Sequence, residues 1–474
     1  MGLTLPVAKS SPNAPSFRVI ALIVAVALFM EQLDATVIST SLPAMARSFD
    51  VKLLHMSVAL TSYLLSLAIF IPASGVIADR FGTRRVFNGA IILFTLGSIL
   101  CAQAPSLSLL VAARVIQGAG GAMMIPVGRL ILLRAVPKKD MVSAMAWFLI
   151  PALIGPVIGP PLGGFITTYL SWRWIFYINI PIGVLGAILS TLLIPDIREG
   201  GGLRFDLPGF LLSGVTLACL TFGFTLATRG SDTREGILLL LGGILGGAAY
   251  ILYARRRSNA ILDLRLMRIQ TFRVSTIAGS LSRITWGAVP FLLPMMMQLG
   301  FGFSAAQSGL ITFTTAAGAM VMKFVAGPIL RRFGFRNTLI WNQLLATACI
   351  AACATFQPGT PMPLIYAVLL VGGFFQSLQF TAYNTIAYAD LRPERMSAAT
   401  GFYTVFQQLM LSLGICLAAA ALSATSSLAG RHVPDLGDFH IAFLVVSAVS
   451  LLSGPFCARL PATAGAEMSG HRAA

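Results

Sequence analysis

The sequence predicts an all-α polytopic membrane protein. Two six-helix bundles flank a two-helix insertion, giving fourteen transmembrane helices with both termini in the cytoplasm. Three observations predict it. The 474-residue chain is 57% hydrophobic and only 10% charged, where a soluble chain carries roughly a quarter charged residues. Its apolar residues gather into runs long enough to cross a hydrocarbon layer, which takes about 20 residues per helix. Its basic residues fall overwhelmingly on alternate loops. A mean hydropathy of +0.85 also excludes a disordered chain. Open sheets are excluded because their backbone groups stay unsatisfied in lipid.

The runs cover residues 19–45, 56–79, 86–103, 107–134, 141–168, 174–194, 207–228 and 236–254, then 273–298, 306–330, 337–356, 363–388, 396–422 and 439–459. An internal repeat divides them. Gly75-Val-Ile-Ala-Asp-Arg-Phe-Gly-Thr-Arg84 aligns with Gly327-Pro-Ile-Leu-Arg-Arg-Phe-Gly-Phe-Arg336 at an offset of 252. Each copy follows the second helix of a half, the build usual for secondary transporters that hold substrate between repeats. Residues 1–194 and 272–459 are therefore expected as the two bundles and 207–254 as the inserted hairpin. With the N-terminus inside, cytoplasmic segments hold 24 of the 33 Lys and Arg residues, and outer segments hold six: Arg47, Lys52, Arg173, Arg229, Arg234 and Arg431. That asymmetry orients the chain. It also turns the net charge of +17 into a topological signal, so no nucleic-acid partner is expected. Residues 1–16 lack a short apolar core with a cleavage site, and the first run carries acids, so a retained helix is expected there.

Five ions lie deep within the runs, clear of the charged run ends: Glu31, Asp34, Arg114, Arg283 and Lys323. Each buried acid costs about 2.5–3.5 kcal/mol on insertion scales, so its retention calls for a reason. Glu31 and Asp34 are spaced i,i+3 on one helix face and suit reversible protonation. Asp34 falls roughly 8 Å below the outer boundary and Arg114 roughly 10 Å below it, at 1.5 Å of rise per residue. The two are therefore expected to pair. Arg114, Gln117, Gly118 and Gly121 share a small, polar face that suits a cavity wall or tight packing. Arg283 is a candidate contact for an anionic group, and Lys323 is expected to snorkel.

Two further features stand out. In the fifth run, Gly155, Gly159 and Gly163 form one groove for a close helix neighbour, beside Pro160 and Gly164. In the first-half loop, Gly75, Asp79, Arg80, Gly82, Arg84 and Arg85 combine into a candidate latch, its acid meeting an Arg or a helix end as the halves rock. The six cysteines lie in apolar stretches as small hydrophobes. No lysine follows a glycine, which excludes a P-loop, and the four histidines sit in loops or at run edges. Neither a metal nor a cofactor is expected.

In this order the motifs resemble the major facilitator superfamily, specifically its fourteen-helix drug:proton antiporter branch of the EmrB/QacA type. The resemblance rests on Leu33-Asp34-Ala-Thr36-Val-Ile-Ser-Thr-Ser-Leu42-Pro43, Gly75 to Arg85, Arg114-Val-Ile-Gln117-Gly118, Gly155 to Gly164, and Trp172-Arg-Trp174-Ile-Phe-Tyr-Ile-Asn179-Ile-Pro181. It implies the major facilitator fold, a proton-coupling role for Asp34 and Arg114, a gating role for the loop, and export associated with the glycine helix. Arg331 stands where the second-half loop would carry an acid, and Glu31 lies outside the motif. The expected function is export of amphipathic organic compounds from the bacterial inner membrane in exchange for protons, as in multidrug efflux. Its partners would be a small-molecule substrate, protons and the lipid bilayer; the sequence identifies no adaptor protein. Arg283 and the scarcity of acids in the second half favour an alternative, export of an anionic metabolite or metal chelate. A membrane-embedded enzyme is disfavoured by the missing catalytic constellation, and a channel by the asymmetry of the motifs.

Overall fold

The computed structural model describes residues 17–137, 140–196, 205–227, 233–257, 260–392, 395–431 and 433–471. Residues 1–16 and the basic residues Lys138, Lys139, Arg198, Arg204, Arg229 and Arg472 lie outside them. All regular elements among the described residues are helical. The first half comprises α1 (Phe17–Val37), α2 (Leu42–Phe49), α3 (Ser57–Phe70), α4 (Ser74–Phe81), α5 (Thr83–Gln103), α6 (Leu107–Ala135), α7 (Met141–Tyr169), α8 (Trp174–Tyr177) and α9 (Asn179–Leu193). A hairpin of α10 (Leu207–Ala227) and α11 (Thr233–Arg255) follows. The second half contains α12 (Gln270–Met295), α13 (Ala305–Ala352), α14 (Met362–Ile386), α15 (Met396–Leu428), α16 (Leu436–Leu451), α17 (Gly454–Cys457) and α18 (Ala466–Ser469).

Eleven helical segments among the described residues are long and apolar enough to cross a membrane. The expected fourteen differ from this in three places. Two expected runs merge into the 48-residue α13, which kinks at Gly334. Neither α7 nor α12 is among the eleven, and α12 carries Arg273, Arg283 and several hydroxyl residues. The first two runs are broken rather than uniform. A 3-10 turn at Ile38–Ser41 separates α1 from α2, which has Pro43 in its first turn. Another at Ile71–Ala73 separates α3 from α4 and contains Pro72. Proline lacks the N–H that a helix interior needs, so both breaks have a covalent cause. In contrast, α7 runs unbroken through Pro151, Pro156, Pro160 and Pro161.

The repeat is visible in the backbone. Gly82 has φ 95° and its equivalent Gly334 has φ 69°, conformations that an L side chain resists. Both loops thus turn on the one residue type that allows it.

Close backbone approach holds the halves together. Along one face of α7, a Cβ on Gly155, Gly159 or Gly163 would meet Gln32, Thr36 and the Val37 carbonyl respectively, at 2.9, 2.0 and 2.2 Å. The expected groove therefore receives α1. Around the same helix, a Cβ on Gly164 would lie 2.2 Å from the Ala305 carbonyl oxygen, and one on Gly309 would lie 2.3 Å from that of Pro160. This is the α7–α13 seam. Two hydrogen bonds reinforce it: the Ala306 amide donates to Thr168 Oγ1 at 3.0 Å, and Gln298 Nε2 donates to the Thr40 carbonyl at 3.0 Å. An apolar cluster continues across, from Val37, Ile38 and Leu42 to Phe291, Leu292 and Ile311. A second seam joins α3 to α15, where Leu65 and Ala68 share a cluster with Phe402, Tyr403 and Leu409. The α10–α11 hairpin contributes Leu217 and Tyr250 to that cluster.

Replacing Gly309 with Val forces atoms into the Pro160 backbone, and overpacking of this kind costs roughly 1–3 kcal/mol. Gly309→Val should lower the thermal unfolding midpoint of purified protein, whereas Gly327→Val, at a position with open space beside it, should leave it unchanged.

Candidate functional site

The side chain of Asp34 is the centre of a fully buried polar cluster. Arg114 Nη1 donates to its Oδ2 at 2.5 Å, while Gln117 Nε2 and Asn179 Nδ2 donate to its Oδ1 at 2.8 and 2.9 Å. Arg114 is tied down elsewhere too. Its Nη1 reaches Gln117 Oε1 at 2.6 Å, its Nε donates to the Ala59 carbonyl at 3.2 Å, and its guanidinium lies 4.2 Å from the Tyr63 ring centroid. Ser98 Oγ accepts from both Gln117 and Asn179, at 2.8 and 3.3 Å. Five segments, α1, α3, α5, α6 and α9, therefore meet at one carboxylate. All three partners of Asp34 are N–H donors, which suits an acid acting purely as acceptor. Oδ1 accepts two of these bonds and Oδ2 one, so the carboxylate is held through both of its oxygens.

Depth along the helices brings Asp34 and Arg114 to one level, and in the structure they are in contact. Gln117, considered from sequence as part of a cavity wall, instead spends its amide on Asp34 and Ser98. From sequence, Asn179 stands only within the motif from Trp172 to Pro181 with no role attached, and Ser98 does not stand out. Asn179 carried a signal, a carboxamide at the head of an apolar run. Ser98 carried none, because a serine in a membrane helix can satisfy itself on its own backbone. One turn before Asp34, Glu31 is only 4% exposed, and its Oε2 has no hydrogen-bond partner. The Tyr63 hydroxyl is likewise buried and unpartnered. The two acids on one helix face thus differ: Asp34 accepts three hydrogen bonds, and Glu31 has an oxygen with none.

The loop residues are pinned within the first half. Asp79 pairs with Arg134 Nη2 of α6 at 2.7 Å, so this arginine has a structural partner as well as a topological role. Arg84 Nη1 reaches the carbonyls of Thr191 and Ile194 at 3.4 and 3.3 Å, and Arg85 lies 3.5 Å from Asp196. Arg80 rests against its neighbour Phe81, and Gly75 faces open space. These contacts staple α4, α5, α6 and the end of α9 together. The partners named here all lie in the first half, and that of Asp79 is an arginine.

In the second half, Arg283 is 2% exposed. Its Nη2 donates to Tyr403 Oη at 2.7 Å and to Asn384 Oδ1 at 3.3 Å. Lys323 donates to Thr381 Oγ1 at 2.9 Å. No group of three or more His, Cys, Asp or Glu able to hold a metal occurs among the described residues. Breaking a buried pair by removing one partner costs about 3–5 kcal/mol, because it strands the other charge. Arg114→Gln should therefore unfold at lower temperature than wild type, and the double variant Asp34→Asn/Arg114→Gln should recover part of that loss in the same melting assay.

The sequence profile described as Major Facilitator Superfamily matches residues 24–203 and 275–469. A protein of Serratia proteamaculans named "Putative multidrug resistance protein MdtD" is 40% identical over 428 residues, covering 89% of this chain and 88% of that protein. A protein of the same name from Salmonella heidelberg is 38% identical over 454 residues, covering 93% and 94%. Among solved structures, a D-xylose-proton symporter superposes with TM-score 0.68 at 15% identity, covering 94% of this chain and 98% of that one. The nucleoside transporter NupG gives 0.66 at 15% identity, covering 93% and 100%. These two share the fold. By the profile and by its relatives, the chain belongs to the Major Facilitator Superfamily, as a multi-pass membrane transporter rather than an enzyme.

Proposed function

We propose that this chain is a proton-coupled antiporter of the fourteen-helix drug:proton branch, which exports amphipathic organic compounds across the bacterial inner membrane. Both termini face the cytoplasm. The observation that carries the reading is the Asp34 cluster: a buried acid clamped by Arg114, Gln117 and Asn179, with Glu31 one turn away and holding a free oxygen. Such a pair can exchange a proton for donors. A proton from the outer side is received by Glu31 and Asp34, which frees Arg114. Return of Arg114 to Asp34 expels the proton on the inner side. The membrane potential contributes about 2.3 kcal/mol per charge per 100 mV, enough to drive export against a substantial gradient.

Other features agree. The names of the relatives from Serratia and Salmonella point to multidrug resistance. The family profile skips residues 204–274, which contain the α10–α11 hairpin, as an insertion between two six-helix bundles would require. The loop from Gly75 to Arg85 acts in this reading as a staple that keeps the inner end of the first bundle rigid while the halves rock. The glycine face of α7, from Gly155 to Gly164, is the surface on which they rock. Arg283 supports the second reading, export of an anionic metabolite or metal chelate, because it is a buried cation with no acid beside it.

Coupling is tested in proteoliposomes carrying an imposed pH gradient and a fluorescent amphipathic dye. Wild type should accumulate dye against its gradient. Asp34→Asn should lose uphill transport by at least about tenfold, a barrier change of about 1.4 kcal/mol, while still passing dye down its gradient. Uphill transport by Asp34→Asn at the wild-type rate would refute the assignment.

A further inference from the structure

Four buried polar atoms on one face of α12 have no partner. Thr276 Oγ1, Ser280 Oγ, and Nε and Nη1 of Arg283 accept or donate no hydrogen bond, although all three residues are at least nine-tenths buried. Their spacing of i, i+4 and i+7 aligns them along one stripe. Behind the stripe, the arginine is held in place. Tyr403 Oη takes Nη2 and lies 2.8 Å from Ser275 Oγ, which in turn donates to the Tyr383 carbonyl at 2.7 Å. Asn384 takes the same Nη2. The supported guanidinium keeps two nitrogens free of hydrogen bonds, with Nη1 lying beside Gly279 of the same helix.

The guanidinium lies over the Tyr403 ring at 4.5 Å, but among the described residues no acid answers it. None of the ion pairs among the described residues includes Arg283. The apolar runs from 273 to 459 contain no Asp or Glu at all. Leaving a charge unpaired in such surroundings is costly, yet every unmet group on the stripe can donate a hydrogen bond. The complement of several convergent donors and one fixed cation is an acceptor-only oxyanion. Beside it stands an aromatic surface. Trp286, one turn along α12, stacks on Phe380 with ring centroids 4.9 Å apart, and Phe380 lies 5.7 Å from the Arg283 guanidinium. Both rings are half-buried, so an apolar body attached to the oxyanion has a surface to lie on.

We propose that Thr276, Ser280 and Arg283 form a receptor for an oxyanionic group, and that the compounds this transporter moves carry a carboxylate, sulfonate or phosphate on an aromatic body. The inference rests on the reading of the chain as an exporter of amphipathic compounds and specifies their chemistry. A lipid headgroup would present the same oxyanion, and the test separates the two.

Full-length protein in detergent is titrated, by fluorescence anisotropy, with rhodamine 110, which has a free carboxylate, and with rhodamine 123, its methyl ester. Wild type should bind the acid about tenfold more tightly than the ester, the margin of one charge-assisted interaction. Arg283→Gln should abolish that preference and Arg283→Lys should keep part of it. Thr276→Val/Ser280→Ala, which retains the arginine, should weaken acid binding by about threefold or more with an unchanged melting midpoint. Equal affinity for acid and ester, binding of neither, or an undiminished preference in Arg283→Gln would overturn the proposal. Displacement of the acid by phosphatidylglycerol but not by phosphatidylcholine would assign the stripe to lipid and overturn the substrate assignment. Proton-driven uphill transport of rhodamine 123 without any preference for the acid would sink this inference alone. An Asp34→Asn variant that binds the acid and still transports uphill like wild type would sink the coupling reading alone.

Discussion

Everything in the first half is arranged around one ion pair taken out of water. A carboxylate and a guanidinium in a membrane interior are each prohibitive alone, and their contact offsets the cost only when the remaining lone pairs and protons also find partners. Asp34 and Arg114 meet most of that condition through Gln117, Asn179, Ser98 and the Ala59 carbonyl, with Arg114 Nη2 left without a hydrogen bond. The consequence is structural before it is functional. Five helical segments must arrive at the same depth with polar side chains facing one point, which fixes their rotations about their own axes.

The second constraint is steric. Where α7 meets α1 and α13, the contact is backbone against backbone, with glycine and proline supplying the surface. Lipid gives helices no hydrophobic reason to associate, so dispersion between closely approached backbones does that work. A seam of this kind lacks long interdigitating side chains, and surfaces of small residues can shift past one another with little repacking. The charged clamp thus lies inside one bundle, whereas the small-residue seam sets α7 against both α1 of its own bundle and α13 of the other.

Much of this was legible before any coordinates. Composition and run length expose the helices because a bilayer imposes a single dominant requirement on each span. The depths of Asp34 and Arg114 follow from the rise per residue, and the glycine spacing of α7 announces a close neighbour. What could not be read was lateral: which helix stands beside which, and at what rotation. That is why the sequence offers Asn179 only as part of a motif and Ser98 not at all, why it leaves Gln117 between a cavity wall and tight packing, and why it does not single out Arg134 as the arginine that meets Asp79. The breaks at Ile38–Ser41 and Ile71–Ala73 were hidden for another reason. Hydropathy averages over a helix and is blind to a 3-10 turn that stays apolar.

The α10–α11 hairpin touches α3 and α15 and so lies along one of the two seams, whereas α7 packs on α1, α6, α8 and α13 with no share in it. The molecule is thereby sided within the plane of the bilayer. Among the described residues the hairpin covers the flank at α3–α15 and makes no comparable contact at α7–α13. Lateral entry from the leaflet would then be a one-door affair, with the door hung on the glycine seam.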